Sequence, residues 1–93
     1  CVEVPVYADE RGFNAIHVGA LPPQCAALNN VSIAAEEMAV DACLTGNPTE
    51  VFHSIAYDPL TASVLSLSEI RAMVNEMLAQ NADYLPTFKH LTA

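Results

Sequence analysis

The sequence predicts an α+β fold: an N-terminal β-hairpin packed with about three helices. Three observations carry this. Val2, Val4 and Val6 alternate with Glu3, Pro5 and Tyr7, which is the period of a strand with one apolar face. Leu28, Val31, Ala35, Met38 and Ala42 recur at helical spacing, and so do Ile70, Met73, Val74, Met77 and Leu78. Ser66 stands three residues before Glu69, the signature of a capping box opening a helix.

The first strand runs through Val2–Ala8. Pro5 has no backbone N–H to donate, so it places this strand at an edge. Asp9-Glu10-Arg11-Gly12 is a polar run ending in glycine and turns the chain back. Phe13–Val18 is the returning strand, with Asn14, Ile16 and Val18 on one face and Phe13, Ala15 and His17 on the other. A lone hairpin is marginal in water and needs a helix layer or another sheet to cover it. Pro22-Pro23 opens the next element, because the first helical turn needs no intrahelical amide donors. One long helix is expected over Gln24–Leu44. Asn29, Asn30 and Ser32 are poor helix formers, so a kink in its first third is the rival arrangement. Gly46 stops it.

Asn47 caps a second helix, with Pro48 in its first position and Glu50 placed for a capping box. Val51, Phe52, Ile55 and Ala56 give that helix a broad buried stripe, and Pro59 ends it, with a short helical turn expected over 60–65. The helix after Ser66 runs to Asn81 or Tyr84. Leu65 is placed to pack on Ile70 as a hydrophobic staple. Leu85-Pro86 closes the helix, and 87–93 is expected to be a loose tail.

Composition narrows the function. Apolar residues make up 53% of the 93 residues and charged residues 15%, against roughly 25% charged in an average soluble chain. A chain this short hides only about 60–65% of its unfolded surface. The surplus of apolar side chains points to a partner surface, either another copy or the rest of a larger protein. Three cations at Arg11, Arg71 and Lys89 against eleven carboxylates give a net charge of −8. That balance argues against nucleic acid and against anionic membrane surfaces. No run of apolar residues is long enough to span a bilayer. Cys1 in place of an initiating Met predicts a chain that begins inside a longer one. Cys1, Cys25 and Cys43 form no CxxC pair and are odd in number, which fits reduced thiols in a cytoplasmic protein.

Chemical motifs are sparse. Gly12, Gly19 and Gly46 are too far apart to cradle a phosphate. His17, His53 and His90 do not share a helical turn, so no zinc pattern forms. Glu37 and Asp41 share a helix face and are expected to be solvated. The rigid turn Leu21-Pro22-Pro23-Gln24 leads into a helix start and is the loop most suited to face a ligand, since amides there favour an anion or ligand oxygen.

Three blocks, in order, resemble a known family: Val2–Val6 with Val18-Gly19-Ala20-Leu21-Pro22-Pro23-Gln24-Cys25-Ala26-Ala27-Leu28-Asn29, then Glu37–Gly46, then Asp58–Leu67. Together they are similar to the C-terminal part of glycoside hydrolase family 4, in its α-galactosidase/α-glucosidase branch. The resemblance implies a parent enzyme that uses NAD and a divalent metal, usually manganese. In such enzymes the sugar is oxidised at C3, the acidified C2 proton is removed, the leaving group departs from C1, and water and hydride are then added back. It also implies that the dinucleotide-binding domain, the metal ligands and the catalytic base lie upstream of these residues. No such role falls on Cys1, Cys25, Cys43 or Tyr7.

The resulting expectation is part of a larger mixed α/β C-terminal domain spanning 1–93, inert alone and forming homo-oligomers. Leu21, Pro22, Pro23 and Gln24 are its cleft-facing loop. Val2 and Val4 on the hairpin edge, with Ile70, Met73 and Met77 on the last helix, are its subunit contacts. The alternative is a small interaction module pairing through its helices. A third reading is a small stand-alone enzyme using His17 or His53, which requires a deep pocket with one of them beside a carboxylate.

Overall fold

A computed structural model describes residues 3–93. Strands β1 (Val6–Asp9) and β2 (Gly12–Ala15) form an antiparallel hairpin. Helices α1 (Pro23–Thr45), α2 (Pro48–Tyr57), α3 (Pro59–Val64) and α4 (Leu67–Gln80) follow, with a single 3-10 turn at Ala82–Tyr84. The class is α+β, with four helices after the hairpin because the turn expected after Pro59 is a helix of its own. Val2 lies outside the described residues.

The hairpin is shorter than the alternation allowed. Asp9 pairs with Gly12 across a two-residue turn, and the Asp9 carboxylate accepts the Arg11 amide at 2.8 Å. Gly12 follows at φ 110°, a conformation that a side chain disfavours. Pro5 contributes only its carbonyl, which accepts the Ile16 amide at 2.9 Å just beyond the strands. Every residue of both strands is exposed. The hairpin therefore stands away from the helices, where the sequence led us to expect packing.

The long helix is unbroken through Asn29, Asn30 and Ser32. It stops where Gly46 enters the left-handed region at φ 68° and its amide bonds the Ala42 carbonyl. Gly46 does a second job: a Cβ there would run into the backbone carbonyl of Thr87. Only the C-terminal half of the apolar stripe of α1 is covered. Ala42 is buried and Ala35 and Met38 are half-buried, whereas Leu28 is 75% exposed. The Ser54 hydroxyl of α2 donates to the Ala35 carbonyl at 2.7 Å and pins the two helices together.

The core lies between α2 and α4. Phe52, Ile70, Val74 and Leu78 are buried together, with Val51, Ile55 and Leu65 packed around them. Arg71 lays its guanidinium over the Phe52 ring at 4.1 Å, covering the core edge with its stem while the charge meets the aromatic face. The caps at Asn47, Asp58 and Ser66 set the helix starts. Ser66 and Glu69 form the complete capping box. Glu50 does not close one with Asn47; its carboxylate lies 3.7 Å from His53 instead.

The end of the chain is not loose. Phe88, Leu91 and Ala93 pack against the core, and the Ala93 amide donates to the Asn75 side chain at 2.7 Å. The expected looseness of 87–93 fails because the apolar residues Phe88 and Leu91 find uncovered core to bury against, without any helical period to announce it.

The molecule is a slab of 45 × 34 × 15 Å. Its Cα radius of gyration is 17.1 Å, against about 12 Å for a compact domain of this length. It exposes 7123 Å², whereas a compact chain of this mass exposes about 5,200 Å².

Two stability outcomes follow from this packing. Ile70→Ala removes a side chain that is 0% exposed and is expected to cost about 2–5 kcal/mol, read by urea unfolding followed by circular dichroism. Gly46→Ala is expected to destabilise through both backbone strain and the collision with Thr87. Its unfolding midpoint should fall further than that of an alanine placed at Gly12, where nothing lies near.

Candidate functional site: a cleft between the hairpin base and α1

A concavity of about 1010 Å³ opens between the N-terminal half of α1 and the chain that enters and leaves the hairpin. Its near wall is Glu3, Val4 and the connection from Ala15 to Leu21. Its far wall is one face of α1 carrying Ala26, Asn29, Ile33 and Glu36. Spacings of 3, 4 and 3 residues put those four side chains on a single helical face. Mixing Ala26 and Ile33 with Asn29 and Glu36, the face carries little hydrophobic contrast beside the stronger Leu28–Ala42 stripe.

His17 lines this cleft together with Glu3 and Glu36, and no lysine or arginine does. The volume is at the upper end of small-ligand sites, roughly 300–1,000 Å³. Every lining residue is exposed or half-buried, and no polar side chain is buried among the described residues. A site that preorganises a reacting group needs water excluded and side chains locked by their neighbours. This cleft has neither property.

The expected site residues divide. Leu21 lines the cleft, whereas Pro22, Pro23 and Gln24 are exposed outside it. The two prolines lack amides, and α1 begins with no side-chain cap. Val4 is half-buried at the cleft wall. On α4, Met77 is exposed, Met73 half-buried, and Ile70 wholly buried. Ile70 is therefore withdrawn as a contact residue, because this chain's own core occupies it. His53 sits on α2, tilted against Phe52 with ring centres 5.7 Å apart, and does not line the cleft. Among the described residues no three His, Cys, Asp or Glu side chains gather as a metal-ligand set, and the three glycines make no phosphate-binding turn. The residues present therefore do not fit a metal or dinucleotide site.

The carboxylates with displaced acidity lie elsewhere. Asp58 is held below the ordinary carboxylate range, first by the Thr61 amide and then by its hydroxyl. Glu69 is lowered by the Ser66 hydroxyl and amide. Both are helix caps. A second, smaller concavity of about 420 Å³ lies between α1 and the end of α2, walled by Asn30, Val31, Ala34, Met38 and Tyr57.

With this geometry in view, the comparisons with known proteins are specific. Residues 1–61 match the family 4 glycosyl hydrolase C-terminal domain, and the chain belongs to that family of glycosidases. It is 34% identical over 88 residues to an alpha-galactosidase of Bacillus subtilis (strain 168), which covers 95% of this chain and 20% of the relative. It is 32% identical over 89 residues to an alpha-galactosidase of Rhizobium meliloti (strain 1021), covering 96% of this chain and 18% of the relative. The chain thus spans about a fifth of the length of these relatives. No solved structure matches it. Among the described residues, no helix is long and apolar enough to cross a membrane.

The caps give a pH signature. Both carboxylates have lowered folded-state pKa values, so their stabilisation is complete above the ordinary carboxylate range and is lost as pH falls through the folded values. The double variant Asp58→Asn, Glu69→Gln should show a flatter fall in melting temperature between about pH 5 and pH 2 than the parent chain. An unchanged acid limb would show that other carboxylates govern it.

Proposed function

We propose that this chain is the C-terminal structural and subunit-contact portion of an enzyme hydrolysing alpha-glycosides, working in the cytoplasm as a homo-oligomer. The parent activity is that of an NAD- and divalent-metal-dependent glycosidase, with manganese as the metal and redox-assisted elimination as the mechanism. The family match and the two alpha-galactosidase relatives support the glycosidase reading. The observation that carries the structural role is the exposed surface. The excess over a compact chain is about 1,900 Å², and Phe13 and Leu28 are among the large apolar side chains left exposed.

On this reading the chain supplies no reacting group. The hairpin base and the Ala26–Glu36 face of α1 seat the part of the enzyme that holds cofactor, metal and sugar. Leu21 is the side chain of the Leu21–Gln24 turn positioned to touch what lies in the cleft.

A chimera tests this directly. The 88 aligned residues of the Bacillus subtilis relative are exchanged for the matching residues of this chain. The chimera should cleave a chromogenic alpha-galactoside only with NAD and manganese present, while the 93-residue chain alone should show neither turnover nor calorimetric NAD binding. Turnover or micromolar NAD binding by the chain alone, or an inactive chimera that folds and assembles like its parent, overturns the proposal.

A further inference from the structure

We propose that residues 85–93 form a strap that opens and shuts on the core as a unit of its own, and that when shut it clamps the end of α1 to α4. The segment forms neither helix nor strand, yet its side chains alternate in a regular way. Ala82, Leu85, Phe88 and Leu91 are half-buried, and the two residues between each of them are exposed. A repeat of three belongs to a 3-10 or polyproline-like chain, which presents one side chain per turn to a surface beneath it. Leu85, Phe88 and Leu91 pack in this way on the cluster of Phe52, Ile70, Val74 and Leu78.

The strap has two further attachments. The Ala93 amide donates to the Asn75 side chain on α4 at 2.7 Å. The Thr87 carbonyl lies against the α-carbon of Gly46, where a Cβ would collide with it, and Gly46 is the residue that ends α1. Three elements are thus tied by one segment: α2 through Phe52, α4 through Asn75 and the end of α1 through Gly46.

These ties are light compared with those of the helices. The backbone bonds of the strap are local, from the Leu85 amide to the Ala82 carbonyl and from the Phe88 amide to the Leu85 carbonyl, both at 3.1 Å. Helix α4 keeps its own hydrogen-bond ladder and buries Ile70, Val74 and Leu78. Segments with few buried contacts and few backbone bonds open at a lower free energy than the core they cover. With the strap open, Gly46 loses the carbonyl that lies against it. The α1–α2 junction is then held by Ala42 and by the bond from Ser54 to the Ala35 carbonyl. The position of the strap therefore governs how firmly α1 is held, whatever occupies the cleft.

Trypsin tests this on the 93-residue chain, because its cationic residues are Arg11, Arg71 and Lys89. Arg11→Gln removes the site in the exposed hairpin turn. A cut after Lys89, between the Phe88 and Leu91 anchors, then reports strap opening, and a cut after Arg71, inside α4, reports unfolding. Proteolysis follows the population of the open form when reclosing is fast. With each rate divided by that of a free peptide spanning the same site, Lys89 should be cut at least about tenfold faster than Arg71 and at least about tenfold slower than its peptide. Asn75→Leu removes the acceptor of the Ala93 amide and should speed the Lys89 cut about three- to tenfold. Asn75→Asp keeps an acceptor and should stay near the parent rate. Gly46→Ala, whose methyl displaces Thr87, should speed the same cut by about tenfold or more. Equal corrected rates at Lys89 and Arg71 overturn the proposal, since the strap would then open only with the whole fold. A Lys89 cut as fast as in the free peptide overturns it too, as no shut state would exist. An unchanged Lys89 rate in Asn75→Leu or in Gly46→Ala overturns the clamp on α4 or on α1.

Discussion

The packing of Ile70, Val74 and Leu78 against Phe52 is the constraint on which the rest of this molecule depends. There, α2, α4 and the half-buried Phe88, Leu91 and Ala93 pack together. Around it the arrangement is hierarchical. Helix α2 is fixed by the core, α1 is fixed to α2 through Ala42 and the Ser54–Ala35 hydrogen bond, and the hairpin follows α1 through an exposed connection. At the outer end, no residue of the hairpin strands is buried. Gly46 shows how tight the inner step is, because the α1–α2 junction passes so close to Thr87 that only a hydrogen fits on its α-carbon.

This gradient of burial has a chemical consequence. A reacting group is effective when its neighbours hold it in one orientation and keep water away. The residues buried in the core are apolar, and the titratable ones that hydrogen bonds hold in place, Asp58 and Glu69, are helix caps away from the cleft. His17, Glu3 and Glu36 share the cleft but are held by little. Phe52 and Ile70 are held firmly and have no acid–base chemistry. Among the described residues, rigidity lies at one end and exposed surface at the other.

Local chemistry was the legible part of the sequence. The Ser66–Glu69 box, the Asn47 cap with Pro48, the helix after Pro59 and the Gly46 stop each depend on residues within a few positions of one another, and each formed as its residues dictate. What escaped was set by tertiary balance. Asn29, Asn30 and Ser32 disfavour helix individually, yet α1 runs through them, because a kink would forfeit hydrogen bonds that the exposed N-terminal half has no packing to replace. Residues 87–93 lack periodicity, but Phe88 and Leu91 need only reach an uncovered core. Ile70 begins an amphipathic stripe whichever neighbour covers it, so the pattern could not tell an internal contact from an external one. The cleft was half-legible: Leu21 belonged to a loop already suspect, while Ala26, Asn29, Ile33 and Glu36 form a mixed face with no hydrophobic contrast to mark it.

The two concavities are not independent, because α1 is a wall of both. Its N-terminal half is anchored only from the C-terminal side, and a cantilevered helix can pivot with little loss of buried contact. Material packed into the groove beside Val31 and Met38 would restrain that pivot, and with it the opposite wall carrying Asn29 and Glu36. The ordering entropy for that wall would then be met once, by whatever fills the groove, and a body entering the cleft afterwards would find it already set. A body filling one concavity would thus act on the other through a single rigid element, with no side-chain relay between them.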